Sequence, residues 1–188
     1  MGGTMKLFLV RHGESEGNAQ KRYAYPDTPL TAKGVKQAID CAKRLSIFEF
    51  DQVLTSPYRR ARQTCECYTK NYAVEERLHE QHTELEGKFY AEHLMSVHRE
   101  EEEKDPINFK LPGADSLKDV YDRALKLRND LQKEGGTILC FSHACFMSMM
   151  ISTVFRDPKT ALSLIIQNAH YTILGENNGE WYLEVLNG

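Results

Sequence analysis

The sequence is short of long apolar runs, of surplus basic charge and of paired cysteines, and each shortage removes a class of function. Its most apolar stretch, residues 144–155, is broken by Ser148, Ser152 and Thr153 and falls short of the roughly 20 residues a membrane-spanning helix needs. Lys and Arg number 24 against 27 Asp and Glu, a formal net charge of -3, so there is no basic field to hold nucleic acid. The cysteines are five, an odd number. Cys65-Glu66-Cys67 has no second pair at ligand spacing and reads as the inner and outer faces of one helix, not as a zinc site. His79 and His82 are three residues apart, where the helical zinc motif needs four. Reduced thiols and the lack of a recognisable signal sequence imply a cytoplasmic setting. Met1-Gly2-Gly3-Thr4 precedes a second Met and has Lys6 where a myristoylation signal needs Ser or Thr, so it reads as an added or alternative start. No internal repeat and no linker divide the chain, which is expected to form one domain over residues 1–188.

What the sequence does hold is a short apolar segment, Leu7-Phe8-Leu9-Val10, that stops at Arg11-His12-Gly13-Glu14. Two more segments end alike: Gln52-Val53-Leu54-Thr55 runs into Ser56-Pro57-Tyr58-Arg59-Arg60, and Thr137-Ile138-Leu139-Cys140-Phe141 into Ser142-His143-Ala144. Short apolar runs between helix-like stretches are the pattern of parallel strands covered on both faces. The expected fold is therefore α/β, a doubly wound, mostly parallel sheet with helices on both faces. In such sheets ligands bind beyond the carboxyl ends of the strands. Arg, His, Arg and His converging there, with no carboxylate among them, make a poor metal site and a good cradle for a phosphoryl dianion.

Val35, Ala38, Ile39, Ala42 and Leu45 recur at helical spacing, as do Ala61, Cys65, Tyr68 and Tyr72. Ser116-Leu117-Lys118-Asp119 resembles a capping box opening a helix with Val120, Tyr121, Ala124, Leu127 and Leu131 inside. Near the end, 171–174 and 181–185 flank Asn177-Asn178-Gly179 and read as an edge hairpin.

Five stretches in order carry a resemblance. They are Arg11-His12-Gly13-Glu14-Ser15 with Asn18; Pro29-Leu30-Thr31 with Gly34; Arg60-Ala61-Arg62-Gln63-Thr64; Leu78-His79-Glu80-Gln81-His82; and Ser142-His143. Together they resemble the phosphoglycerate mutase-like histidine phosphatases. The resemblance implies that His12 is the nucleophile, forming a phosphohistidine that water then hydrolyses. Arg11, Arg60 and His143 would hold the phosphoryl oxygens, and Asn18 would add an amide donor. No metal and no cofactor is implied. The family places its arginine directly before Ala and four residues before Thr, which selects Arg60 over Arg62, with Arg59 as the alternative. Glu80 matches the position of the general acid, with Glu84 and Glu86 as close competitors. Ser15, Asn18, Tyr25 and Lys88 are the candidates for substrate binding, and Tyr23, Phe89 and Tyr90 share an aromatic outer region with them.

The segment 87–113 stands outside the strand-helix alternation. It carries Glu100-Glu101-Glu102-Glu103 and ends near Pro106 and Pro112, and is expected to be a short helical lid with a solvated acidic face. In the mutases this region supplies paired arginines; here Lys88, Arg99, Lys104 and Lys110 include no adjacent pair. The loop Arg22-Tyr23-Ala24-Tyr25-Pro26-Asp27 also lacks the Gly-Trp of the mutases. The favoured expectation is a metal-independent phosphomonoester hydrolase acting on a small phosphorylated metabolite. Mutase-type phosphoryl transfer is the second reading, and a catalytically silent phosphate-binding or interaction module the third. The expected partner is a small-molecule phosphate ester, with no nucleic acid and no membrane; self-association stays open.

Overall fold

The computed structural model describes residues 5–188; the reading of residues 1–4 as a leader lies outside them. Strand β1, Met5–Arg11, buries Met5, Leu7, Phe8, Leu9 and Val10 almost completely, because both of its faces are covered. Alternation along the strand divides those side chains. Met5, Leu7 and Leu9 enter one core with helices α6, Leu117–Glu134, and α7, Ala144–Phe155. Phe8 and Val10 enter a second core with Cys41 and Leu45 of α2, Ala32–Leu45, and Cys65 of α3, Arg59–Tyr68.

Among the described residues the sheet has six strands in the order β3-β2-β4-β1-β5-β6. Strands β2, Gln52–Thr55, β3, Ala73–Val74, and β4, Thr137–Ser142, run parallel with β1. The last two, β5, Tyr171–Asn177, and β6, Glu180–Val185, are antiparallel. They form the expected hairpin, whose two-residue turn has positive φ at Asn178 (52°) and Gly179 (86°), the geometry Asn-Gly favours. Register brings the functional strand ends level: Arg11 pairs with Ser142, and Thr55 with Phe141.

The capping box of α6 is present, with Ser116 Oγ accepting from the Asp119 amide, and all five residues expected in its core face are buried. Helix α2 departs from expectation. Its buried stripe is Gly34, Ala38, Cys41 and Leu45, while Val35 and Ile39 are exposed. A backbone contact sets that rotation: a Cβ on Gly13 would strike the carbonyl of Gly34, and a Cβ on Gly34 the carbonyl of Glu14. The small side of the helix therefore faces the Arg-His-Gly-Glu loop. Tyr72 lies beyond α3 and donates its hydroxyl to Glu66.

Between the strands, α1, Glu16–Gln20, is capped by Ser15. The lid contains two short helices, α4, Tyr90–Leu94, and α5, Arg99–Lys104. It is tied to the loop after α1 by backbone bonds from Tyr23 to Lys88 and from Gly87 to Tyr23. Of its acidic run, Glu101 and Glu103 are exposed, while Glu102 turns inward to His93. Among the described residues no helix is long and apolar enough to cross a membrane.

Candidate active site

Beyond the ends of β1, β2 and β4 lies a cavity of about 270 Å³ lined by Arg11, His12, Ser15, Asn18, Arg60 and Glu80, among others. His12 leaves β1 with its amide bonded to the Ser142 carbonyl and is 3% exposed. Its Nδ1 lies 2.6 Å from the Gly13 carbonyl, and its Nε2 lies 3.2 Å from Arg60 Nε. A carbonyl can only accept and a guanidinium can only donate. Nδ1 therefore carries the proton, and Nε2 presents a lone pair. Burial, then the charges of Arg60 and Arg11, push the imidazole well below its usual titration range, so the ring is neutral at neutral pH.

Arg60 lies in the first turn of α3 and is 3% exposed, whereas Arg59 and Arg62 face solvent. Its Nη1 donates to the Tyr25 carbonyl at 2.9 Å, and the ring of Tyr58 lies under its guanidinium. Arg11 donates from Nη1 to the Ile166 carbonyl, and its buried Nε has no partner among the described residues. His143, fully buried at the N-terminus of α7, is bonded through Nε2 to Ser56 Oγ at 2.8 Å. Its Nδ1 is also buried and unpartnered. Unpartnered buried polar groups are rare in folded proteins and call for an explanation; an oxyanion seated among these side chains supplies one for Arg11.

Glu80 reaches the cavity from the segment after the short 3-10 turn at residues 76–78. Its carboxylate accepts from the amides of Cys145 (3.2 Å) and Phe146 (3.0 Å) in the first turn of α7, and from Gln81 at 3.0 Å. Arg123 of α6 supports this segment from behind, donating to the carbonyls of Arg77 and His79, both at 2.7 Å. Nearby, Gly13 is anchored by its amide to Thr64 Oγ1, and Ser142 Oγ is bonded to the Leu78 carbonyl.

The site residues expected from sequence are not all gathered here. Ser15 and Asn18 line the cavity, tied to each other by the cap of α1. Tyr25 contributes its carbonyl, but its side chain is half exposed and faces a separate surface hollow. Lys88 is exposed and does not line the cavity; its carbonyl is used to hold Tyr23. Of the competitors of Glu80, Glu84 bonds His82 outside the cavity, whereas Glu86 does line it. Sequence reasoning passed over Asn168, which donates to the His12 carbonyl at 2.9 Å, and Arg123. Neither lies in a motif or at a strand end, so nothing local marks them.

A family model described as histidine phosphatase superfamily (branch 1) matches residues 7–188. A curated relative, the probable phosphoglycerate mutase GpmB of Escherichia coli, is 29% identical over 171 residues, covering 84% of this chain and 78% of that protein. Among solved structures, phosphoserine phosphatase from Entamoeba histolytica, in complex with 3-phosphoglyceric acid, superposes with a TM-score of 0.86 at 26% identity, covering 97% of this chain and 96% of that one. Mycobacterial glucosyl-3-phosphoglycerate phosphatase gives 0.86 at 22% identity, covering 98% and 99%.

Proposed function

The chain belongs to the histidine phosphatase superfamily, and from that premise we propose that it hydrolyses phosphomonoesters through a phosphohistidine on His12. The observation that carries the proposal is the fixed tautomer: a neutral ring lining the cavity between two arginines, with its Nε2 lone pair accepting from Arg60 Nε. That lone pair attacks phosphorus, the N–P bond forms, and the P–O bond to the alcohol breaks in line. Arg11, Arg60 and His143 hold the three non-bridging oxygens, and the oxyanion replaces the Arg60–His12 contact. Glu80, entering the step in its protonated form, gives that proton to the departing alkoxide. As a carboxylate it then takes a proton from water, whose oxygen attacks the phosphohistidine and releases inorganic phosphate and free His12.

The name of the 29% identical relative favours mutase-type transfer as the second reading. A mutase must hold a second anionic group and shut water out. Of the lid cations, Arg99 is engaged with Glu102 and Glu103 and Lys110 with Asp119, while Lys88 and Lys104 are exposed and do not line the catalytic cavity. This supports hydrolysis over transfer.

The test is to quench turnover of a radiolabelled aryl phosphate. We expect an acid-labile, base-stable label on the protein, and expect His12→Ala to lose both label and phosphate release. Label that persists in the variant would remove His12 from the role. Absence of any hydrolysis by the wild type would favour the binding-module reading.

A further inference from the structure

Beside the catalytic cavity lies a larger one of about 420 Å³, between the lid and the start of α6. Tyr23, Gln81 and Thr83 are walls of both. We propose that this second cavity receives the leaving group, and that the substrate is a phosphomonoester of an uncharged or cationic alcohol bearing an apolar face of aromatic size. The assignment rests on the phosphomonoesterase reading above.

Position, size and lining each point the same way. An in-line displacement puts the departing oxygen opposite His12 and beside the acid. Gln81 and Thr83 follow Glu80 in sequence and carry the wall from that acid into the second cavity. A phosphoryl group needs only the first cavity, and the volume beyond it falls within the roughly 300–1,000 Å³ of small-molecule sites. Leu85, Phe109, Leu111 and Leu117 supply an apolar surface there, so a leaving group without apolar area would forgo most of the contact on offer.

Charge narrows the class further. The two cations that face the cavity, Arg99 and Lys110, are paired: Arg99 with Glu103 at 2.8 Å and Glu102 at 3.3 Å, and Lys110 with Asp119 at 2.8 Å. Asp115, whose carboxylate lies 3.7 Å from Arg123, also lines it, as do Glu102 and Glu103. A second phosphate or carboxylate on the substrate would have to break an existing pair or sit against like charge. The tilt of the cavity is therefore against dianionic leaving groups. Tyr23 fixes the boundary, with its hydroxyl 2.5 Å from His93 Nδ1 and His93 Nε2 3.1 Å from Glu102, which ties the shared wall to both lid helices.

Phosphonates, which cannot be hydrolysed, test the cavity separately from the reaction. Calorimetric titration of the full-length protein is expected to rank 2-phenylethylphosphonate above ethylphosphonate by about tenfold to a hundredfold, the return from burying one ring. Adding a carboxylate instead, in 3-phosphonopropionate, should give no gain over ethylphosphonate. Phe109→Ala, in the lid and outside the two cores, is expected to shrink the phenylethyl-to-ethyl ratio to about threefold or less. Equal affinity of the wild type for the first two ligands, tighter binding of the carboxylate, or a ratio untouched by Phe109→Ala would each overturn the proposal. Failure to hydrolyse any ester would sink the phosphomonoesterase reading, while the phosphonate ranking would still decide what the cavity accepts.

Discussion

A proton lost or gained at His12 is felt both in chemistry and in folding, because the ring is buried neutral between two guanidinium groups. His143 is held the same way, with burial first and the charge of Arg60 second pushing it well below its usual value of 6.5. In the unfolded chain both rings titrate near that value. Below it the unfolded state binds protons that the folded state refuses, so stability is full above about pH 6.5 and declines as the pH falls toward the depressed folded values. Each ring contributes a slope of up to about 1.4 kcal/mol per pH unit within that window. Urea unfolding between pH 7.5 and 5.5 should show the decline, and His12→Gln should remove about half of the part due to the pair. A slope unchanged in the variant would mean that His12 is charged when folded. At Glu80 the expectation concerns rate. A general acid contributes about a hundredfold to ten-thousandfold, but an aryl phosphate releases its phenoxide with little help. Glu80→Gln should therefore lose most activity on alkyl phosphates while keeping a burst of phosphoenzyme from an aryl phosphate. Glu86, which also lines the cavity, is the residue to compare. If Glu86→Gln shows the selective loss and Glu80→Gln behaves like wild type, the roles are exchanged.

At the scale of elements, the catalytic loop is shaped by what lies under it. Gly13 and Gly34 bring the end of β1 and the first turn of α2 into backbone contact, while Thr31 caps that helix and bonds Glu14. Gly34→Ala would force the two apart. Overpacking of this kind costs about 1–3 kcal/mol, to be read from the urea midpoint, and activity should fall with it because Glu14 moves with His12. An alanine variant as stable and active as wild type would show that the contact is slack. The same contact explains where the sequence misled. Apolar spacing alone places Val35 and Ile39 in the buried face, yet the stripe that packs is Gly34, Ala38, Cys41 and Leu45, because close approach selects small side chains over large ones. Strands ending in Arg11-His12, Ser56 and Ser142-His143 were legible because burial on both faces leaves an unbroken apolar run with an abrupt polar stop. Arg123 was not: it sits on α6, and its worth lies in carbonyls more than forty residues away, a distance that no local pattern encodes. Lys88 shows the reverse error, a cation of the right type on a lid whose path turns its side chain to solvent.

For the molecule as a whole, the sheet gathers Arg11, Arg60 and His12 around one cavity, with His143 buried beside His12 at 5.2 Å between ring centroids, and spends part of its stability doing so. Burial pulls both guanidinium groups below their ordinary values despite the nearby carboxylate of Glu80, and Arg11 Nε and His143 Nδ1 have no partner among the described residues. A phosphoryl dianion relieves both strains at once, so phosphate and vanadate should stabilise the entire fold and not merely the loops that touch them. Ligand at a hundred times its Kd adds about 2.7 kcal/mol. For a chain of this size each kcal/mol moves the Tm by about 2–4 °C, which predicts a rise of roughly 5–11 °C at saturation. Chloride at matched ionic strength controls for screening. Arg60→Met should abolish most of the rise, since it removes a buried cation that also contacts His12; its own Tm without ligand need not fall far, because the cost of burying that charge goes with it. If phosphate raises the Tm of wild type and Arg60→Met equally, the anion binds elsewhere, and the convergence of strand ends is not what holds it.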